Sequence, residues 1–425
     1  MTVDTEVDRP AVTAHAAPDL GHRVSGAVDP HFSWVVRALS AMFPARWSGG
    51  GALAVYLDGQ PVVDVWSGWS DRAGRVPWSA DTAPMVFSAT KGMASTVIHR
   101  LADRGLIDYD TPIAHYWPEF AAQGKANLTV RQVMRHQAGL SGLRGVTADQ
   151  VLDHLGMEER LAAATPGRLF GKSAYHALTY GWLMSGLARA VTGKGMRTLF
   201  REELAKPLGT DGIYLGRPPA GASVRVAQII MPQRLLGPPV VGLVTRAAAH
   251  HLSGGFRSIY FEGAFDSVKG RTPMLDAEIP AANGVVTARA LARMYGAIAN
   301  HGEVDGIQLL SREMVASLTG RRNLRPDRNL VVPMSFHLGY HSFPFLPGFG
   351  HVGLGGSLGW ADPASGLAFA FVHNRLLSPF VVTDQAGFVG IGTLLQQAAA
   401  KARKRGFEPV TEFGTPYSGA GAAAG

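Results

Sequence analysis

Ser88-Ala89-Thr90-Lys91 is the only Ser-x-x-Lys in the chain, and it follows a short apolar run, Met85-Val86-Phe87. Behind it Met93, Val97 and Leu101 make a stripe that Ala94 and Ile98 broaden, with Gly105 beyond. That spacing predicts a helix over 88–104 with the glycine past its end. Residues three apart share a helix face. The Lys91 amine would then reach the Ser88 hydroxyl, the activation a serine nucleophile needs where no histidine serves it. A serine at a helix start also lies beside free backbone N–H groups, which favour a developing oxyanion. For this chemistry Lys91 must be neutral, so its pKa has to fall well below the reference of about 10.4. Ser and Lys are common, and a chain of 425 residues holds about one such spacing by chance. The motif gains its weight from its company.

A second serine competes. Gly355-Gly-Ser357-Leu-Gly359 spells Gly-x-Ser-x-Gly, the elbow that presents a nucleophile between a strand and a helix. Here Trp360-Ala-Asp-Pro-Ala-Ser-Gly366 follows, a turn-rich link into the apolar run Leu367–Val372. No helix is expected directly after Ser357, so the context suits a glycine-rich strand edge and disfavours an elbow. His250-His251 and His337/His341 lack carboxylate or cysteine company at ligand spacing; packed or solvated side chains are the expectation, with no metal and no cofactor.

The elements that must position these residues come in three stretches. Ala52–Leu57 and Pro61–Trp66 flank Asp58-Gly59-Gln60, a hairpin pattern. From about Asp108 to Pro280 the patterns are mostly helix and loop, with helices expected over Leu128–His136, Asp149–Ala164, Tyr175–Val191 and Met196–Ala205. An amphipathic helix over Thr287–Asn300 follows, then strand patterns at Gly339–Phe343, His351–Gly356 and Gly366–His373, and a last helix over Asp384–Arg403. Strands at both ends around a helical middle predict an α+β architecture with an inserted helical unit. The expected division is a mobile 1–28, a discontinuous α/β domain of 29–110 and 281–410, a mostly helical domain of 111–280, and a flexible tail of 411–425.

Composition sets the limits. The 46% hydrophobic and 17% charged residues fit a globular chain, and its length asks for more than one core. With no cysteine, disulfides, thiolate nucleophiles and Cys-ligated metals are out. The net charge is +8, but the basic residues are scattered and no nucleic-acid-binding signature accompanies them. Lys401-Ala-Arg-Lys-Arg405 reads as the basic end of a helix, with peripheral contact to anionic lipid as the minor alternative. The first 28 residues lack the apolar core of a signal peptide, and no 18-residue apolar run is present. The expected location is cytoplasmic or at the periphery of the cell envelope. Nothing in the sequence sets an oligomeric state.

Three more segments accompany Ser88 and Lys91 in order: Leu128-Thr-Val-Arg-Gln-Val-Met-Arg-His136-Gln-Ala-Gly-Leu140, Pro166-Gly167 with Tyr175-His-Ala-Leu-Thr-Tyr-Gly-Trp182, and Gly350-His-Val-Gly-Leu-Gly-Gly356. Together they resemble the class C β-lactamase-like serine hydrolases, most closely the family VIII carboxylesterases. Ile279-Pro-Ala-Ala-Asn-Gly284 and Ala288–Tyr295 are similar to that family too. The resemblance spans about residues 35–400. It implies a β-lactamase/penicillin-binding-protein-like fold, with an antiparallel sheet flanked by helices. It also implies Ser88 as nucleophile, Lys91 as base and Tyr175 as the proton relay to the leaving alcohol. His351-Val-Gly353 falls where β-lactamases carry Lys-Thr-Gly, which makes His351 and Gly353 site-lining and the Leu354 amide a second oxyanion donor beside that of Ser88. His351 in place of that lysine, and Ala177 where lactamases carry asparagine, point to an uncharged small-molecule ester over a penicillin. His136 is expected to order its turn. Ile229–Gly263, with apolar patches, is a flap candidate over an acyl site, against ordinary core. A short- to medium-chain acyl ester is the expected substrate; acyl transfer, weak lactamase activity and binding of lipid or cell-wall material without turnover are the alternatives.

Overall fold

The computed structural model describes residues 24–143, 145–231, 258, 261–264, 266–319, 327–330, 334–376, 381–411 and 414–419. Most of the flap candidate (232–257) and His250-His251 lie outside the described residues.

One eight-stranded antiparallel sheet draws its strands from both ends of the chain. Counting only this sheet, they are β1 (Val24–Val28), β2 (Gly50–Leu57), β3 (Gln60–Gly68), β4 (Ser335–His337), β5 (Tyr340–Phe343), β6 (Leu346–Val352), β7 (Leu358–Asp362) and β8 (Leu367–His373). Their spatial order is β1-β3-β2-β8-β7-β6-β5-β4. The β2–β3 hairpin turns at Asp58 and Gly59, both left-handed at φ 50° and 77°, which is the geometry that matches strand twist.

Alternation in the central strands sorts two layers. Leu367, Phe369 and Phe371 of β8, with Leu53, Val55 and Leu57 of β2, share a core with α1 (Ser33–Ser40) and α5 (Val381–Arg405). Ala368, Ala370 and Val372, with Ala52, Ala54 and Tyr56, face the other way and join the larger core with α4 (Ala288–Ala299). Small residues on that face let α4 lie close: a β-carbon on Gly296 would be 2.9 Å from the Tyr56 ring. Burial on both faces explains why β8 is apolar from Leu367 to Val372. No helix among the described residues is long and apolar enough to cross a membrane.

Between the sheet halves the chain is mostly helical. Residues 149–164, read as one helix, form two, Ala148–Leu152 and His154–Ala163. Asp153 breaks them, its carboxylate accepting the Gly156 N–H at 3.1 Å. Helix α3 (Thr179–Thr192) begins at Thr179, not Tyr175.

Both expected loose ends need correction. Residues 24–28 form β1 on the sheet edge. At the other end, residues 414–419 dock on a buried ion pair, Arg201 with Asp211. The Ser418 hydroxyl donates to Asp211 at 2.8 Å, the Tyr417 N–H donates to the Gly209 carbonyl at 3.2 Å, and Arg201 stacks on Tyr417 at 4.9 Å. Glycine and alanine flank these contacts and hide them from composition. A chain ending at residue 411 should lose roughly 2 kcal/mol of stability, since hydrogen bonds to charged groups contribute about 1.5–3 kcal/mol. Equal urea midpoints for full-length and shortened chains would refute that.

Candidate active site

Ser88 is half-buried in a single 3-10 turn, Phe87–Ala89, that leads into α2 (Thr90–Asp103). Phe87 is left-handed, φ 47°, a conformation that costs a non-glycine residue about 1–2 kcal/mol. The turn is held from outside. The Val86 N–H donates to the Gly284 carbonyl at 2.9 Å, the Gly284 N–H donates to the Thr90 hydroxyl at 2.9 Å, and that hydroxyl donates to the Phe87 carbonyl. Ser88 thus precedes the regular helix on a fixed, strained corner.

Lys91 is fully buried, and its Nζ donates to Ser88 Oγ at 3.0 Å and to the Ala281 carbonyl at 2.9 Å. Burial drives its pKa well below the usual lysine value. The Ala281 carbonyl is fixed by Asn283. That side chain accepts the Ile279 N–H at 3.1 Å and donates to the Met274 and Ala277 carbonyls at 2.8 and 2.7 Å. Asn283 stands inside a segment singled out in the sequence, but its role needs the tertiary turn to be visible.

Tyr175 lies in the irregular segment before α3, with the Lys91 amine 5.0 Å from its ring centroid and Ser88 among the groups that act on its phenol. Burial raises the phenol pKa, so it stays protonated. Its backbone is clamped by a loop that carries no motif or periodic pattern. The Tyr175 N–H donates to the Asp327 carboxylate at 2.9 Å, and the Asn329 amide donates to the Tyr175 carbonyl at 2.8 Å. Asp327 also accepts the N–H groups of Asn329 and Leu330, each at 2.9 Å.

His351 ends β6 beside Tyr175, ring centroids 6.2 Å apart. Gly353 then passes so close to the nucleophile turn that a β-carbon would meet the Val86 carbonyl at 2.1 Å and the Ala89 nitrogen at 3.2 Å; only glycine fits. Leu354 follows in a turn with its side chain partly exposed. Ala177 is buried and offers no polar group. The structure therefore brings Ser88, Lys91, Tyr175, His351, Gly353 and Leu354 together on one side of the sheet.

His136 takes a left-handed turn, φ 59°, and its Nδ1 accepts the His176 N–H at 3.1 Å; its carbonyl accepts the Ala174 N–H at 3.1 Å. It braces the approach to Tyr175. Ser357 stands apart from this cluster. It is 2% exposed, its Oγ accepts the His373 N–H at 3.1 Å, and strand β7 follows it directly. His337 bonds the Ser317 carbonyl at 2.8 Å, and His341 is packed in the core. Among the described residues no group of three or more His, Cys, Asp or Glu could hold a metal ion.

The β-lactamase family model matches residues 35–390. The chain is 71% identical over 429 residues to the esterase/β-lactamase LipL of Mycobacterium tuberculosis (strain ATCC 25618 / H37Rv), covering both chains in full. Among solved structures, a family VIII carboxylesterase aligns with a TM-score of 0.73 at 33% identity, over 89% of this chain and 99% of that one. EstA from Arthrobacter nitroguajacolicus Rue61a aligns with a TM-score of 0.72 at 26% identity, over 88% and 98%. A serine, a desolvated lysine and a tyrosine meet on a matching fold, and the protein belongs to the β-lactamase family.

Proposed function

We propose that the protein is a serine carboxylesterase that cleaves small, uncharged acyl esters of short to medium chain length through a Ser88 acyl-enzyme. The carrying observation is the fully buried Lys91 amine, its pKa lowered, 3.0 Å from Ser88 Oγ. A neutral amine there accepts the hydroxyl proton as Oγ attacks the ester carbonyl. The amides of Ser88 and Leu354 receive the oxyanion, which the close approach of Gly353 to the nucleophile turn supports. Tyr175, held protonated by burial beside Lys91, gives its proton to the departing alkoxide, and Lys91 restores it. Water then releases the acid.

Substrate charge follows from His351. It is buried, and burial with the nearby His341 and Lys91 keeps its pKa well below the histidine norm. A neutral imidazole offers no cation to a carboxylate, so β-lactam turnover should be weak beside ester turnover. Hydrolysis of p-nitrophenyl esters of graded chain length tests the reading; absence of turnover across the series would overturn it.

Tyr175→Phe separates the acid from the base. General acid–base catalysis contributes about 10²–10⁴-fold, and an alkoxide needs the proton far more than p-nitrophenolate does. The variant should therefore lose about 10³-fold in kcat/KM, which reports acylation alone, on ethyl butyrate and about tenfold on p-nitrophenyl butyrate. Equal losses on both esters would remove Tyr175 from leaving-group protonation.

A further inference from the structure

Beside Lys91, five rings close on one another in a circuit. His136 meets Tyr175 at 5.0 Å between centroids, Tyr175 meets His351 at 6.2 Å, and His351 meets His341 at 4.6 Å. Phe336 completes it, 6.1 Å from His341 and 4.4 Å from His136. All three imidazoles are buried, and each spends one nitrogen on the backbone. His136 Nδ1 accepts the His176 N–H, and His341 Nε2 accepts the Val352 N–H at 3.0 Å. His351 Nδ1 lies 3.1 Å from the Val352 carbonyl and so must donate to it. These bonds fix the tautomers of the neutral rings. The remaining nitrogens, His136 Nε2, His341 Nδ1 and His351 Nε2, have no hydrogen-bond partner among the described residues. Two are N–H donors and one, on His351, is an acceptor. Buried polar atoms without partners are rare and costly, and three around one circuit call for an occupant.

We propose that these imidazoles form a neutral recess that holds the hydrolytic water against Tyr175 and commits the acyl-enzyme to hydrolysis over transfer to an alcohol. This rests on the esterase reading above. The count of donors selects water. Its oxygen can accept from His136 and His341, one O–H can donate to His351 Nε2, and the other remains for the reaction. In that step one of the two N–H groups releases the water oxygen, the freed lone pair bonds to the acyl carbon, and the proton of the other O–H passes through the Tyr175 hydroxyl to Lys91. The bond from the acyl carbon to Ser88 Oγ then breaks, and the proton returns to Oγ. Free acid leaves and the serine is restored. An alcohol has a single O–H. Seated in the recess, it must either leave His351 Nε2 unpaired or withhold the proton from the base.

The test uses the full chain, p-nitrophenyl butyrate and added n-butanol, and measures the ratio of butyl butyrate to butyrate. His351→Asn keeps an amide to donate to the Val352 carbonyl and deletes the Nε2 acceptor. It should raise the transfer-to-hydrolysis ratio about tenfold, the worth of one buried hydrogen bond, a ratio set by the fate of the acyl-enzyme and not by how fast it forms. His136→Asn keeps an acceptor for the His176 N–H, and asparagine tolerates the left-handed backbone. It should slow release of the acyl group about tenfold, read as the decay of preformed acyl-enzyme in a single turnover. A ratio within twofold of wild type in the first variant, or unchanged acyl release in the second, overturns the proposal. If one variant does not fold, the other decides. A wild type with no burst and no turnover would instead remove the esterase reading on which the recess depends.

Discussion

Ser88→Ala should abolish the burst and reduce p-nitrophenyl butyrate turnover by about 10⁴-fold or more, whereas Ser357→Ala should keep activity within about tenfold of wild type. The two serines offer the same hydroxyl in different settings. Ser88 is half-buried, on a turn whose left-handed neighbour Phe87 fixes its direction, with an amine at 3.0 Å. Ser357 is sealed from solvent, with its Oγ accepting the His373 N–H. No base serves it, since the His373 ring is engaged elsewhere: Nε2 lies 2.9 Å from the Gly355 carbonyl and Nδ1 accepts the Arg375 N–H at 3.1 Å. Its hydroxyl ties the β6–β7 turn to the end of β8. Loss of that tie leaves a buried N–H unpaired, which costs about 1–3 kcal/mol, so Ser357→Ala should melt earlier while still turning over. Ser88→Ala should melt close to wild type, because the surrounding turn is held by Thr90 and Gly284. Urea midpoints and burst amplitudes for both variants check the pair of claims. Retained burst in Ser88→Ala, or its loss in a folded Ser357→Ala, would reassign the nucleophile.

Why the sequence separated these serines, yet missed much around them, has a physical reason. Periodicity is local, so the stripe after Ser88 marked α2 and the alternation around Asp58-Gly59 marked the first hairpin. The absence of a helical pattern after Gly359 argued against an elbow, and strand β7 stands there. Groups that act through tertiary contact leave no local period. Asp327 and Asn329 lie more than 150 residues from Tyr175 in sequence, yet hold its backbone on both sides. Asn283 sets the carbonyl that receives Lys91 from 190 residues away. The same holds for the docked residues 414–419, whose glycine-rich neighbourhood signals mobility while Tyr417 and Ser418 engage Arg201 and Asp211. Tyr175 was misplaced by only a few residues, at a helix start. Its position before α3 matters because its N–H is not taken up by the helix and donates to Asp327.

Lys91→Met should lower turnover by about 10³-fold or more, since the nucleophile loses the base hydrogen-bonded to it. The same substitution should also change how stability depends on pH. Lys91 is buried, and desolvation lowers its pKa in the folded chain, while in the unfolded chain the amine keeps the ordinary value of about 10.4. Between the folded and unfolded pKa values the unfolded state binds the extra proton, so wild-type stability rises with pH across that window and is lost as pH falls through it. Methionine binds no proton in either state and removes this slope. The stability of Lys91→Met relative to wild type should therefore grow as pH is lowered from about 10 to about 7. His136, His341 and His351 also have lowered pKa values, but their unfolded value of about 6.5 places their contribution below this range. Lys125, likewise lowered by burial, is common to both proteins and cancels in the difference. Urea unfolding of the two proteins at several pH values reads the slope directly. Parallel curves would mean that Lys91 is charged in the folded state, and a charged Lys91 could not take the proton from Ser88. Wild-type kcat/KM must share the sign, rising with pH as Lys91 loses its proton.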